Sequence, residues 1–319
     1  MFDITALGEL LIDFAPVSTD SDGYPTMAAH PGGAPANFLS AINMLGGKTA
    51  FLGKVGNDAF GKLLVNTVSK AGIDTRGVVV DDKTFTTLAF VTLDETGDRE
   101  FSFARKPGAD TQITFEELDL SVIDQSNAFH FGTLSLTGEP ARTCTQKAVA
   151  YAKSKGKLIT FDPNLREPLW DNLEEAKEQI LWGLKQCDVV KISDNEIEFL
   201  FGCSPEEGAQ KLLNEFGIQL VFATLGPDGC HFANKTCSGT AGKVSGVKVV
   251  DTTGAGDIFG GTAVREVLRA SAAPAELGKE ELTNIVKLAC ATATLSATRF
   301  GGISSVPTRE EVLELLAKQ

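Results

Sequence analysis

Short apolar runs alternate along this chain with longer stretches in which apolar residues recur every three or four positions. The opening DITALGELLIDFAP reads as one strand ending near Asp13, followed by a polar stretch over residues 18–22. GGAPANFLSAINMLG predicts a helix, with Pro35 suited to its first turn and Gly46-Gly47 to its end. TAFLGKVG predicts a second strand and residues 58–71 a second helix. GVVVDD and TTLAFVTLDETGDREFSFAR then follow with no helix between them. The latter alternates faces like a β-hairpin turning at Glu95-Thr96-Gly97-Asp98. Strand and helix patterns next alternate as NAFHFG, residues 139–154, KLITFD, Leu173–Leu184 and DVVKIS. Two helices, Asp194–Phe201 and Pro205–Phe216, precede LVFATLG and GCHFAN. VSGVKVV, residues 244–250, alternates towards a strand, and residues 258–268 read as a helix. Helices over 282–298 and 309–317 close the chain.

Regular βα alternation predicts an α/β fold with a central, mostly parallel sheet between helix layers and right-handed crossovers. The hairpin fits a small extra sheet standing off that core, a lid drawn from parts of 14–30 and 84–106. No repeat and no Pro/Gly-rich linker divides the sequence, so residues 1–319 are expected to form a single domain.

Composition narrows the classes. Apolar residues make up 43% of the chain, enough for a substantial core. A net charge of −13 argues against tracking nucleic-acid phosphates. No apolar run approaches ~18 residues, so no membrane span is expected. The cysteines, Cys144, Cys187, Cys203, Cys230, Cys237 and Cys290, form no C-x-x-C pair, and the start carries no signal-peptide pattern. Reduced thiols and a cytoplasmic location are expected. His30, His130 and His231 are isolated, without the neighbours of a zinc site or a Ser-His-Asp arrangement.

Open α/β sheets carry their ligands at the carboxyl ends of the strands. Polar groups recur there: Asp13; Gly32, Gly33 and Asn37; Glu139; Asp162, Asn164 and Arg166; Asp194, Asn195, Glu196 and Glu198; and Leu225 to Gly229. The densest stretch is DTTGAGDIFGGT, where Gly254, Ala255 and Gly256 leave the backbone bare beside Asp257. Unpaired N–H groups at a helix start attract anions. No Lys-Ser/Thr pair closes the stretch as in a Walker A loop. Nor does it open the first βα unit, as a dinucleotide fingerprint does. A lone acid in an anion cradle repels its ligand unless it has a task, although Asp in a first helical turn is also ordinary dipole chemistry.

GGAPANFLSAINMLGGKTAFLGKVGNDAFG and DTTGAGDIFGGT resemble the two signatures of the ribokinase-like (PfkB) carbohydrate kinases, and the resemblance covers nearly the whole chain. GELLIDF, REFSFARKPGAD, FDPNLR and VKISDNEIEFLFG look most like the fructokinases of that family. The resemblance implies a three-layer ribokinase-like sandwich with a β lid, and phosphorylation of D-fructose to fructose 6-phosphate by ATP with magnesium. It assigns the anion hole to Gly254, Ala255 and Gly256 and the base to Asp257. It assigns the sugar to Asp13, Gly32, Gly33 and Asn37, and more weakly to Glu139, since Glu before Pro140 is also ordinary helix-start chemistry, with Phe103 and Arg105 closing from the lid, where Phe103 is equally read as packing. Asn195 and Glu198 match an N-x-x-E pattern that organises magnesium through water; Asp194 reads as the cap of that helix. Arg166 resembles a phosphate-side position, or else holds Asp162 or a loop carboxylate. Lys191 reads equally as a phosphate ligand or a solvated strand-end charge. Thr224, Gly226 and Gly229 resemble the adenine-side loop. Asp251, Thr253, Ser296, Arg299, Gly301 and Ser305 match a potassium site found in many members, and several are helix-end residues in any case.

A 2-keto-3-deoxygluconate kinase is the nearest alternative, because Arg105 and Arg166 resemble its arginine pair. A nicotinamide dehydrogenase lacks its early glycine motif here, and most non-catalytic sugar-binding proteins carry export signals. The resemblance also implies a homodimer, with Leu88, Phe90, Val91 and Phe101 offering one lid face to a partner.

Overall fold

Most of the apolar runs have become strands, and the stretches of three-to-four periodicity helices that cover them. The computed structural model describes residues 1–93 and 99–319. The chain begins with β1 (Phe2–Leu7), β2 (Leu11–Thr19), β3 (Pro25–Gly32), α1 (Ala34–Met44), β4 (Thr49–Gly56) and α2 (Ala59–Lys70). β5 (Asp74–Asp81), β6 (Thr87–Leu93), β7 (Arg99–Ala104), α3 (Leu120–Asp124), β8 (Ser126–Gly132) and α4 (Ala141–Ser154) follow. Next come β9 (Leu158–Asp162), α5 (Leu173–Leu184), β10 (Val189–Ser193), α6 (Asp194–Phe201), α7 (Pro205–Phe216) and β11 (Leu220–Thr224). β12 (Cys230–Asn234), β13 (Ser238–Ala241), α8 (Ala255–Arg269), α9 (Lys279–Ser296) and α10 (Arg309–Leu316) complete the chain.

The main sheet has the order β13-β12-β11-β10-β9-β8-β1-β4-β5, parallel throughout except where β12 and β13 return antiparallel at one edge. β1 lies between β4 and β8, with Thr5 opposite Ala50 on one side and Phe129 on the other. Strands covered by helices on both faces need apolar residues on both, so the runs are continuous rather than alternating. Phe129, Phe131 and Phe161 are buried in one cluster, Phe51 and Leu39 in another. Burial of each such side chain contributes about 1.5–3 kcal/mol.

A second, four-stranded sheet has the order β3-β2-β6-β7. The hairpin partners β6 and β7 pair antiparallel, whereas β2 and β6 run parallel, with Phe14 opposite Phe90. The expected turn at 95–98 lies outside the described residues, as does the side chain of Phe101. The apolar lid face expected to await a partner is largely consumed within the chain. Leu88 packs on the core cluster beneath, Phe90 stacks on Phe14 with centroids 5.2 Å apart, and Val91 is buried.

Three local expectations are corrected. DITALGELLIDFAP is two strands in two sheets, not one strand ending near Asp13. The break falls where Gly8 leaves room for Pro35, whose Cγ lies 2.6 Å from where a Cβ would stand, and where Glu9 Oε1 accepts the Ala34 N–H at 2.8 Å. Asp13 therefore sits within β2, opposite His30. Residues 244–250 form no strand, because the short polar β13 takes the sheet edge and Val250 N–H instead donates to the Ala297 carbonyl at 2.8 Å. Ser193, not Asp194, caps α6, its hydroxyl accepting the Glu196 N–H at 3.2 Å. Among the described residues, no helix is long and apolar enough to cross a membrane.

Candidate active site

Helices α1 and α8 pack backbone to backbone, since a Cβ on Gly261 would stand 2.1 Å from the Phe38 carbonyl oxygen. That approach joins the two glycine-rich stretches of the sequence. Asn37 Nδ2 donates to Asp257 Oδ2 at 2.9 Å, while Asn37 Oδ1 is buried without a partner. Gly254 caps α8 at φ +76°, a left-handed conformation that glycine adopts without cost, and a Cβ there would lie 3.0 Å from Asn37 Nδ2. Of the three amides expected to form an anion hole, that of Ala255 already donates to the Thr252 carbonyl at 3.2 Å. Asp257, 8% exposed, stands at the third position of the helix, beside the N–H groups that a first turn leaves unpaired.

Two clefts meet at this helix end. The first, about 280 Å³, is bordered by Asp13, Gly33, Asn37, Phe103 and Asp257. The second, about 440 Å³, is bordered by Ser193, Asp194, Asn195, Glu196, Thr224 and Gly226. Asn164, Arg166, Lys191 and Gly256 border both. A third, water-sized pocket of about 10 Å³ touches Glu9, His130, Asp162, Asn164 and Asp257.

Charge is dense and mostly buried. Lys191 Nζ lies 3.1 Å from both Asp162 oxygens. Burial pulls its pKa down, but Asp162, Glu196 and Asp257 more than offset this, so the ammonium is held charged. Burial raises the Asp257 carboxyl above the ordinary range, against the Asn37 hydrogen bond and the charges of Lys191 and Arg166. Burial pushes Asp13 up to about 7; Arg166 opposes the rise, and Asp251 and Asp257 add to it. Gly32 gives that carboxylate its space, because a Cβ there would meet Asp13 Oδ2 at 2.5 Å. Arg166 does not hold Asp162, whose partner is Lys191; its Nη1 donates to the Leu165 carbonyl at 3.2 Å.

Several expected residues stand elsewhere. Arg105 is buried and ion-paired to Asp110, with hydrogen bonds to the Thr137 hydroxyl and the Leu134 carbonyl, each 2.8 Å. It ties the foot of β7 to the body instead of facing the first cleft. Glu139 is exposed and accepts the Thr143 N–H at 3.1 Å; Glu198 is exposed, and neither borders a cleft. Gly229 is buried against the Ala241 carbonyl, with Thr224 and Gly226 at the cleft. Asp251 accepts the N–H groups of Thr253 at 2.9 Å and Gly301 at 3.0 Å, drawing the loop after α9 behind the α8 cap. Ser296 and Ser305 donate to the carbonyls of Ala293 and Gly302, and Arg299 pairs with Glu311.

Sequence reasoning treated Glu196 as a first-turn residue. Its carboxylate accepts from Ser193 N and from Leu165 N, each at 2.8 Å, locking the loop after β9 to α6. The S-x-x-E spacing from Ser193 was the available signal.

Residues 1–309 match the family described as pfkB family carbohydrate kinase. The chain is 41% identical over 319 residues to fructokinase-1 of Zea mays, covering 99% of this chain and 98% of that protein. A crystal structure of fructokinase with bound ATP from Xylella fastidiosa superposes with a TM-score of 0.90 at 30% identity, covering 100% of this chain and 99% of that one. A double mutant of the Vibrio cholerae O395 fructokinase, in a form with fructose, ADP and a potassium ion bound, gives a TM-score of 0.86 at 31% identity, covering 99% and 98%.

Proposed function

The chain belongs to the pfkB family of carbohydrate kinases, and we propose from this that it phosphorylates D-fructose on its 6-hydroxyl with ATP. In the proposed step, the 6-oxygen forms a bond to the γ-phosphorus while the bond from that phosphorus to the β–γ bridging oxygen breaks. The hydroxyl proton passes to the Asp257 carboxylate, and ADP leaves with the bridging electrons. The first cleft takes the sugar and the second the nucleotide. Backbone N–H groups at the α8 start, chiefly those of Gly254 and Gly256, face the moving phosphoryl.

The observation that carries this reading is the position of Asp257. It is a buried carboxylate bordering the first cleft, oriented by Asn37, at the helix start where the two clefts join. Asp13 and Asn37, with the close backbone at Gly32 and Gly33, suit vicinal hydroxyls; Phe103 borders the same cleft.

Magnesium enters with the nucleotide in this reading and neutralises phosphate charge. The second cleft offers it Asp194 and Asn195, oxygen donors of the kind it takes; Glu196 has both oxygens accepting N–H bonds, and the exposed Glu198 would act only through water. Potassium, if required, would lie among the main-chain oxygens of 251–253 and 296–305, since both Asp251 carboxylate oxygens already accept N–H bonds. The family resemblance also supports a homodimer, for which sedimentation velocity is the check; a monomer at working concentration removes it. The function itself is tested by incubating the protein with fructose, ATP and magnesium and resolving the products. Fructose 6-phosphate and ADP in equal amounts are expected, and ATP left intact in the presence of fructose sinks the reading.

A further inference from the structure

Glu9 has no part in the step described above, yet it is a carboxylate 3% exposed at the point where the chain leaves the main sheet for the second one. Burying an acid is costly unless something holds it. Arg105, the cation whose charge reaches it, is bound to Asp110. What holds Glu9 is backbone. Its Oε1 accepts the N–H of Ala34, the first residue of α1, at 2.8 Å, and its own N–H turns to the same carboxylate. Burial pushes its pKa up to about 7, against those two hydrogen bonds and the Arg105 charge, while Asp110 adds to the rise.

Helix α1 has no cap of its own. Its N-cap is Gly33, which has no side chain to accept an N–H, and its first turn holds no acid. Glu9 supplies from another element the anion that such a helix start favours. Its main chain tightens the same contact, since a Cβ on Gly33, at φ +126°, would stand 2.4 Å from the Glu9 carbonyl oxygen. One turn into α1 stands Asn37, whose N–H donates to the Gly33 carbonyl at 3.0 Å and whose amide orients Asp257. Gly33, Ala34 and Asn37 border the first cleft and not the second.

Resting on the kinase reading above, we propose that Glu9 is a positioning residue. Its carboxylate fixes the start of α1, and through that start the Asn37 amide that aims the Asp257 base at the sugar hydroxyl. The bonds made and broken are those already given; Glu9 exchanges no proton in the step. The sugar side of the reaction depends on it, and the nucleotide side does not.

Glu9→Ala removes the acceptor. With fructose and magnesium-ATP, its kcat should fall about 10–10²-fold and its KM for fructose rise about tenfold, because small misplacements of a reacting group cost that much. Its KM for ATP should stay within about threefold of wild type. Glu9→Gln keeps an oxygen for the Ala34 N–H and should hold kcat within about fivefold of wild type. The split between the two KM values separates positioning from folding, because a smaller folded fraction lowers the apparent kcat and leaves both KM values where they were. Should Glu9→Ala yield no folded protein, Glu9→Asp, one methylene too short for the Ala34 N–H, takes its place with the same expectation. An alanine variant with unchanged kcat and fructose KM overturns the inference. So does a loss that leaves both KM values unmoved, a raised KM for ATP, or a glutamine variant as impaired as the alanine one. Wild-type protein that transfers phosphate to no sugar removes the functional reading and the inference together. An active wild type beside an equally active alanine variant removes the inference alone.

Discussion

Asn37 and Asp257 are 220 positions apart in the chain and 2.9 Å apart in the fold, so the orientation of the proposed base is a tertiary property. The acid itself was legible through the resemblance of DTTGAGDIFGGT to a family signature; alone, an Asp in a first helical turn reads equally as dipole chemistry. Asn164 was visible only as a polar residue after a strand, since its positive φ goes with contacts from Thr133 and Glu196 that pin its neighbours. Replacing Asp257 with Asn should lower kcat by about 10²–10⁴-fold and leave ATP and fructose binding within a few-fold, measured by steady-state kinetics and calorimetry. Retention of full turnover would falsify the assignment of the base. The acid limb of the pH profile follows from Asp13. Burial lifts its carboxyl to about 7. Below that pH it is increasingly protonated and no longer accepts bonds from two sugar hydroxyls. KM for fructose should therefore rise as pH falls through about 7, and Asp257, raised in the same direction, should carry kcat down with it. In Asp13→Asn the KM should be high and nearly flat over the same range; a wild-type profile in that variant rules Asp13 out as the titrating group.

At the scale of elements, periodicity located helices well because each buries one face against the sheet, as α6 and α7 illustrate by matching their expected bounds. It failed where pairing, not pattern, decides. LGEL joins two apolar runs without a turn signal strong enough to part them, yet Gly8 and Glu9 dock on the start of α1 and send the chain to another sheet. The polar SGTA became an edge strand through its antiparallel turn with β12, and VKVV did not. Arg105 shows the same limit. As a motif residue it looked like a lid group over the substrate; in the fold it joins β7 to the short helix at Ala109–Gln112 through Asp110, with both side chains at most 5% exposed. Arg105→Met leaves that carboxylate buried and unpaired, which should cost about 3–5 kcal/mol. A urea titration should show the loss. Pairing it with Asp110→Leu should recover part of the stability, and a single variant with an unchanged midpoint would mean that the ion pair holds nothing.

The whole molecule sets which sugar the site accepts. The parallel strands of the main sheet bring their carboxyl ends to one rim, and the second sheet adds Asp13 and Phe103, so the first cleft combines three carboxylates, Glu9, Asp13 and Asp257, with few uncommitted cations. A 2-keto-3-deoxy acid brings a carboxylate of its own. The arginine pair that would receive it is not assembled, because Arg105 is bound to Asp110 and only Arg166 borders the cleft. Lys191 is likewise paired. Arg166 already faces the fields of Asp13 and Asp257, so a further negative charge there meets like charges at short range in a chain of net charge −13. Unfavourable juxtaposition of that kind costs several kcal/mol, or at least about 10²-fold in discrimination. Under identical ATP and magnesium, kcat/KM for fructose should exceed that for 2-keto-3-deoxygluconate by about 10² or more. Comparable values for the two would mean that Arg105 leaves Asp110 to meet the substrate, a rearrangement that Arg105→Met would abolish for the acid while sparing fructose.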